Sequence, residues 1–122
     1  MTKKILAVDD SNSVRKMVEF ALKSRGYNVT TASDGQDALE LLEKNQYDLV
    51  VLDINMPNLD GISVLKTVRE HPDRGSLPVL MLTTEGQESD RDRALTLGAT
   101  DYMVKPFKPT ELLERVEKLL VM

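Results

Sequence analysis

Three carboxylates, one hydroxyl and one ammonium group come at the ends of short, mostly apolar segments of this sequence. Asp9 and Asp10 follow one run of four apolar residues, and Asp53 follows another. Thr83 follows a third run, and Lys105 comes just after a shorter mixed segment. If these segments are neighbouring strands of a parallel sheet, about 4.8 Å apart, their carboxyl ends lie at one edge. We therefore expect the five side chains to form one pocket.

The charges in this pocket predict a metal site. Asp9, Asp10 and Asp53 would repel one another, and close approach of two carboxylates would force a proton onto one of them. A divalent cation removes that conflict. Oxygen ligands without cysteine favour magnesium, with calcium or manganese as alternatives. Magnesium typically takes one or two carboxylates together with water and a phosphate oxygen.

Lys105 and Thr83 extend this prediction from metal binding to phosphoryl chemistry. An ammonium, a hydroxyl and a metal directed at one carboxylate form a suitable clamp for phosphoryl oxygens, whose transfer depends on positioning and charge neutralisation. A carboxylate can itself be the nucleophile and form an aspartyl phosphate. Asp53 is the best candidate, because it stands between the other groups.

Each of these residues alone also has an ordinary structural explanation. An Asp-Asp pair before Ser11 is common at a turn and a helix cap. An Asp or Thr at the end of a strand, or a Lys before a proline, is usually structural. The joint occurrence at four predicted strand ends indicates function.

The elements that would position these residues alternate along the chain. Five strands are predicted, each followed by a helical segment. The strands are 5–8, 28–31, 49–52, 79–82 and 101–104, and the helical segments are 14–22, 38–42, 62–68, 88–97 and 112–120. Strict alternation predicts an α/β fold, a doubly wound five-stranded parallel sheet with helices on both faces. Strands one, three and four lack polar alternation, which fits burial on both faces. Ligands of such folds bind beyond the carboxyl ends of the strands.

Composition narrows the class of protein. A length of 122 residues suits one domain, predicted to cover 1–122. The formal net charge of −4 argues against a nucleic-acid partner. The absence of cysteine excludes disulfides and thiolate metal sites. The apolar runs are too short for a membrane span or a secretory signal, so we predict a cytoplasmic protein without membrane insertion.

With these residues in place, the chain resembles the receiver domains of bacterial two-component response regulators over essentially its whole length. The matching segments are Val8-Asp9-Asp10, Leu52-Asp53-Ile54-Asn55-Met56-Pro57 with Asp60-Gly61, Leu82-Thr83, Gly98-Ala99 and Lys105-Pro106-Phe107. The resemblance implies a flavodoxin-like sheet with strand order 2-1-3-4-5. It further implies that Asp53 is phosphorylated by a histidine kinase, or slowly by small phosphodonors such as acetyl phosphate.

The resemblance also implies roles for the other residues of the site. Asp10 and Asp53 would bind Mg²⁺ directly, with the backbone carbonyl of Asn55 as third protein ligand, and Asp9 would act mainly through metal-bound water. Lys105 would contact the phosphoryl group, and the peptide bond to the proline after it would be cis. The side chains of Asn55 and Glu85 would tune the rate at which water removes the phosphoryl group.

The same resemblance implies a conformational switch. The Thr83 hydroxyl would move to hydrogen-bond a phosphoryl oxygen, and the ring of Tyr102 would shift from exposed toward buried. The face formed by helix four, strand five and helix five would then change shape and bind a partner.

Several outputs of such a switch remain open. No output domain is expected beyond the last helix, so our first hypothesis is a chemotaxis regulator that binds the flagellar motor switch protein when phosphorylated. The alternative is a phosphorelay intermediate that passes the group to a histidine phosphotransfer protein, or another single-domain receiver. Whether the protein counts as an enzyme is open, since it would catalyse its own phosphorylation and dephosphorylation.

Two different classes fit less well. A magnesium-dependent phosphatase with an aspartyl nucleophile would carry a second carboxylate where this chain has Asn55. A flavin-binding protein of the same architecture would bring three acids against the flavin phosphate.

Overall fold

A computed structural model describes residues 2–56, 58–84 and 86–121 of the chain. Five strands alternate with five helices, as the sequence predicts. In chain order the elements are β1 (Lys4–Val8), α1 (Asn12–Ser24), β2 (Asn28–Ala32), α2 (Gly35–Lys44), β3 (Leu49–Asp53), α3 (Gly61–Glu70), β4 (Val79–Thr84), α4 (Glu88–Thr96), β5 (Asp101–Lys105) and α5 (Pro109–Leu120).

The five strands form one parallel sheet with the order β2-β1-β3-β4-β5, which confirms the predicted fold. In the register, Val8 lies opposite Leu52 on β3. Thr84, at the end of β4, lies opposite Lys105. The carboxyl ends of β1, β3, β4 and β5 therefore meet at one edge of the sheet.

Alternation along each strand divides the apolar residues between two cores. On β1, Ile5 and Ala7 pack with α1 and α5 in the first core, whereas Leu6 and Val8 pack with α2, α3 and α4 in the second. Because both faces of the sheet are covered in this way, nearly all residues of β1, β3 and β4 are buried. This double burial is the reason why these strands lack polar alternation.

The helices differ in how firmly their ends are fixed. Ser11, Asp34 and Asp60 cap α1, α2 and α3 with side-chain oxygens that accept backbone N–H groups. The N-cap of α4, Gln87, makes no such bond, and α4 buries only Ala94. Within the described chain, no helix combines the length and apolarity that a membrane crossing requires.

All five strands extend further than predicted, and three of them do so through candidate functional residues. β3 includes Asp53, β4 includes Thr83 and Thr84, and β5 includes Lys105. The sequence pattern placed these polar residues just outside the strands, yet the backbone hydrogen-bond ladder continues through them. The functional candidates are therefore held by the sheet itself.

Candidate functional site

The structure brings Asp9, Asp10 and Asp53 together at the carboxyl edge of the sheet. Each contributes a carboxylate oxygen, and these atoms all lie within 4.8 Å of one another. Asp9 and Asp53 are each 2% exposed, whereas Asp10 is exposed. Two charges are thus withdrawn from water while the third stays solvated.

Local hydrogen bonds fix Asp9 at the end of β1. Its Oδ1 accepts the Ser11 N–H at 2.9 Å, and its backbone carbonyl accepts the Arg15 guanidinium at 2.8 Å. The sequence analysis missed Arg15. Arg15 comes six residues after Asp9, on α1. Its contact with Asp9 can be predicted only when the conformation of the loop between β1 and α1 is known.

Asp53 is held by the sheet and by the loop that follows it. Its Oδ1 accepts the Asn55 N–H at 3.3 Å, and Ile54 N donates to Leu82 O on β4 at 3.2 Å. Gly61 N donates to Ile54 O at 2.9 Å, which draws the start of α3 against the end of β3.

Lys105 joins the two buried carboxylates. Its Nζ lies 2.7 Å from Asp9 Oδ2 and 3.3 Å from Asp53 Oδ1. Burial alone lowers the pKa of Lys105, but the two carboxylates outweigh it, and the net pKa is raised. The Lys105–Pro106 peptide bond is cis, as the resemblance implied.

The Asp53 carboxyl is less acidic than an ordinary aspartate. Burial and then the charge of Asp9 raise its pKa to about 7, although Lys105 and the Asn55 N–H act in the opposite direction. A further positive charge beside Asp53 would favour its ionised form.

The donor set fits a metal ion. Three carboxylates and the Lys105 ammonium leave a formal charge of −2 at the cluster. The buried Asp9 Oδ2 accepts no hydrogen bond of good geometry from the described residues, and the Lys105 ammonium is its close ionic neighbour. A divalent cation would balance the remaining charge with hard oxygen ligands.

Thr83 and Tyr102 lie on the neighbouring strands. Thr83 is 3% exposed, and its hydroxyl donates to Met103 O at 3.3 Å rather than to the acidic cluster. The Tyr102 ring was expected to be exposed in the resting protein. It is half-buried instead, because it packs against the second core and lies beneath the Arg91 guanidinium.

The two residues predicted to tune dephosphorylation have different outcomes. Asn55 is exposed, and its side-chain amide donates to Gln87 Oε1 at 3.1 Å. Glu85 lies outside the described residues. No sequence pattern pointed to Gln87, because it meets Asn55 from 32 positions away.

A surface groove lies away from these groups. It has a volume of about 430 Å³ and is lined by residues at the amino ends of β3 and β4, among them Tyr47, Asp48 and Arg74. It therefore takes no part in the site.

Comparison with known proteins assigns the chain to a protein family. The family model described as the response regulator receiver domain matches residues 5–117. The chain belongs to the response regulator receiver family. The receiver domain of a two-component response regulator is accordingly the unit that carries the acidic cluster described above.

Individual relatives of this receiver domain differ in length. It is 47% identical over 120 residues to the alkaline phosphatase synthesis transcriptional regulatory protein PhoP of Bacillus subtilis, covering 98% of this chain and 49% of PhoP. It is 48% identical over 118 residues to the probable transcriptional regulator ycf27 of Cyanophora paradoxa, covering 97% and 48%. The chain thus spans about half the length of these curated relatives.

A solved structure matches the receiver domain over its whole length. The chemotaxis response regulator CheY4 of Vibrio cholerae superposes with a TM-score of 0.92 at 40% sequence identity. The match covers 98% of this chain and 99% of CheY4. The fold assignment therefore rests on sequence and on structure alike.

Proposed function

We propose that this receiver domain, expected to span 1–122, accepts a phosphoryl group on Asp53 in a magnesium-dependent reaction and thereby switches its binding to a partner. The observation that carries the proposal is the buried Asp53 carboxylate, which shares one edge of the sheet with Asp9, Asp10 and Lys105. The phosphoryl donor would be a sensor histidine kinase. Under the first hypothesis it is a chemotaxis kinase.

In the transfer step, a carboxylate oxygen of Asp53 forms a bond to phosphorus while the bond from phosphorus to the imidazole nitrogen of the kinase breaks. The electron pair of the broken bond stays on the imidazole. Lys105 neutralises part of the charge that develops on the phosphoryl oxygens, and Asp9 and the Asn55 N–H hold the surrounding geometry. Bound Mg²⁺ would supply the remaining neutralisation.

The metal ligands are those that the resemblance to receiver domains implies, and the three carboxylates among them lie in this cluster. Asp10 and Asp53 would bind Mg²⁺ directly with the carbonyl oxygen of Asn55, and Asp9 would act mainly through water. The exposed side chain of Asp10 supports this role, because it is accessible to a hydrated ion while its neighbours are buried.

The Asp10→Ala variant should therefore bind Mg²⁺ at least about tenfold more weakly. The fold should be retained, because the exposed Asp10 side chain supports no buried contact. Isothermal titration of the unphosphorylated protein measures the change. Asp73→Ala is the control, since it removes the same charge from an exposed loop. Equal weakening in both variants would remove Asp10 from the ligand set.

The switch would use Thr83 and Tyr102. A phosphoryl group on Asp53 adds acceptor oxygens and negative charge. Thr83 lies one residue beyond the strand position opposite Asp53, and its hydroxyl can exchange its bond to Met103 O for a phosphoryl oxygen. Tyr102 would then change its burial, and the face of α4, β5 and α5 would change with it. Asn55, together with Glu85, would set how fast water ends the signal.

The partner that binds the face of α4, β5 and α5 has several candidates. Likeness to CheY4 over its full length favours a flagellar motor switch protein, with a histidine phosphotransfer protein as the relay alternative. The higher identity to PhoP and ycf27 favours a second candidate, control of transcription through a part outside this chain. The receiver domain itself is not proposed to touch nucleic acid, given its net charge of −4. Capture of partners with the beryllofluoride-loaded protein distinguishes these outputs.

Incubation with acetyl phosphate and Mg²⁺ tests the proposal as a whole. The protein should take up one phosphoryl group per chain, seen as a single mass increment. It should take up none when Mg²⁺ is removed before labelling. Sustained turnover of small phosphomonoesters would instead support the aspartyl-nucleophile phosphatase. Absence of any labelling would overturn the phosphoryl-acceptor proposal.

A further inference from the structure

A cation covers the ring of Tyr102. The guanidinium carbon of Arg91, on α4, lies 5.3 Å from the centre of that ring. Arg91 Nε and Nη2 each lie 3.2 Å from one carboxylate oxygen of Asp92, which orients the guanidinium plane. The arrangement is a cation–π contact between α4 and β5.

Helix α4 has few other attachments. It is the most polar of the five helices, it buries only Ala94, and its N-cap makes no side-chain hydrogen bond. The contact of Arg91 with Tyr102 therefore adds to the few attachments of this helix a direct side-chain contact with β5.

The main chain of Tyr102, by contrast, is firmly held. Its carbonyl accepts Arg115 Nη1 from α5 at 2.7 Å, and its N–H donates to Asp101 Oδ1 at 2.8 Å. Arg115 also bonds the Asp101 carboxylate at 3.1 Å. A change in Tyr102 is thus confined to rotation of the ring.

A groove lies beside the contact between Arg91 and Tyr102. It has a volume of about 140 Å³ and lies between the end of β4 and the start of α4, and Thr83, Arg91 and Val104 are among the residues that line it. Thr83 lies opposite Val104 in the sheet, and Tyr102 is on the same face two residues earlier. Arg91 therefore covers the ring and also forms one wall of the groove.

We propose that Arg91 is a positioning residue that holds the Tyr102 ring outside this groove and so sets the resting balance of the switch. The inference rests on the proposed function, since it assigns Arg91 a role in the regulation of that same site. Arg91 acts only through Tyr102 and touches neither the acidic cluster nor the phosphoryl group.

The energetic consequence follows from linkage. A contact that exists only in the resting arrangement opposes the active one, and its loss raises the active population. An exposed cation–π contact corresponds to a shift of about two- to fivefold. If the active arrangement is the minor one, the apparent affinity for a phosphoryl mimic rises by the same factor.

The experiment compares the wild-type chain with Arg91→Gln, both carrying fluorinated tyrosine. ¹⁹F NMR spectra of each protein are recorded during titration with beryllofluoride and Mg²⁺. The resonance of Tyr102 is assigned by its loss in Tyr102→Phe. Arg91→Gln should move this resonance toward the beryllofluoride-bound position before any mimic is added. It should also bind the mimic about two- to fivefold more tightly.

Two further variants separate this role from general effects of charge or helix stability. Arg93→Gln removes the same charge from the same helix at an exposed position and should leave both readouts at wild-type values. Arg91→Lys keeps a cation and should restore most of the wild-type behaviour. Equal effects of Arg91→Gln and Arg93→Gln would overturn the inference.

The outcomes distinguish this inference from the proposed function. If beryllofluoride moves the Tyr102 resonance in the wild type but Arg91→Gln changes neither readout, the role of Arg91 is wrong while the acceptor proposal stands. If the mimic does not bind the wild type at all, the proposed function fails and the inference fails with it.

Discussion

Asp53→Asn is expected to reduce phosphorylation by acetyl phosphate to the level of a sample without phosphodonor. The amide has nearly the same shape as the carboxylate but carries no negative oxygen that can attack phosphorus. The fold should be retained or become more stable, because the substitution removes a buried charge that Asp9 opposes. Mass spectrometry of the intact protein measures the incorporation, and thermal unfolding reports on the fold.

Asp37→Asn provides the control for Asp53→Asn. It makes the same chemical change at an exposed carboxylate on α2, and labelling should remain at the wild-type level. Retained labelling of Asp53→Asn, with the phosphoryl group located on another residue, would show that Asp53 is not the acceptor.

Gly61→Ala should displace the buried end of β3 or the start of α3. A Cβ atom at this position would lie 2.1 Å from the backbone carbonyl oxygen of Asp53 and 2.9 Å from Ile54 Cα. These are backbone atoms of the buried end of β3, so the strand end or α3 has to move. We expect a loss of about 3 kcal/mol in the free energy of unfolding.

The same displacement should slow phosphorylation of Asp53. Misplacement of a reacting group by about 1 Å can cost about a hundredfold in rate. Denaturant titration and the rate of labelling by acetyl phosphate together measure the two effects. Gly75→Ala is the matched control, because the nearest atom to its Cβ would be 3.6 Å away and the residue is exposed. A Gly61→Ala protein with wild-type stability and labelling rate would contradict this account of the strand end.

These predictions also show how far the sequence leads. Apolar runs ending in Asp9, Asp53 and Thr83 were sufficient to predict the parallel sheet and the edge at which the polar residues meet. That success has a physical reason, since doubly buried strands need continuous apolar residues and parallel strands bring like ends together. The acidic cluster was predictable for the same reason.

Other features depend on distances that a sequence pattern does not contain. Gln87 reaches Asn55, and Arg91 reaches Tyr102, only after the chain has folded. The half-burial of Tyr102 likewise depends on how α4 lies over β5. Strand ends were placed too early because Lys105 and the other polar residues continue a ladder made by the backbone, which does not depend on side-chain polarity.

The alternation of side chains across the sheet has a consequence for how this protein can change over evolution. Asp53 and Lys105 continue the alternation that faces α1 and α5, whereas Thr83 and Tyr102 belong to the side covered by α4. Substitutions at exposed positions on the α4 side that spare Thr83, Tyr102 and Arg91 can therefore accumulate without touching Asp53 or Lys105. Descendants of one ancestral chain could therefore bind new partners while they keep the same phosphoryl-transfer reaction.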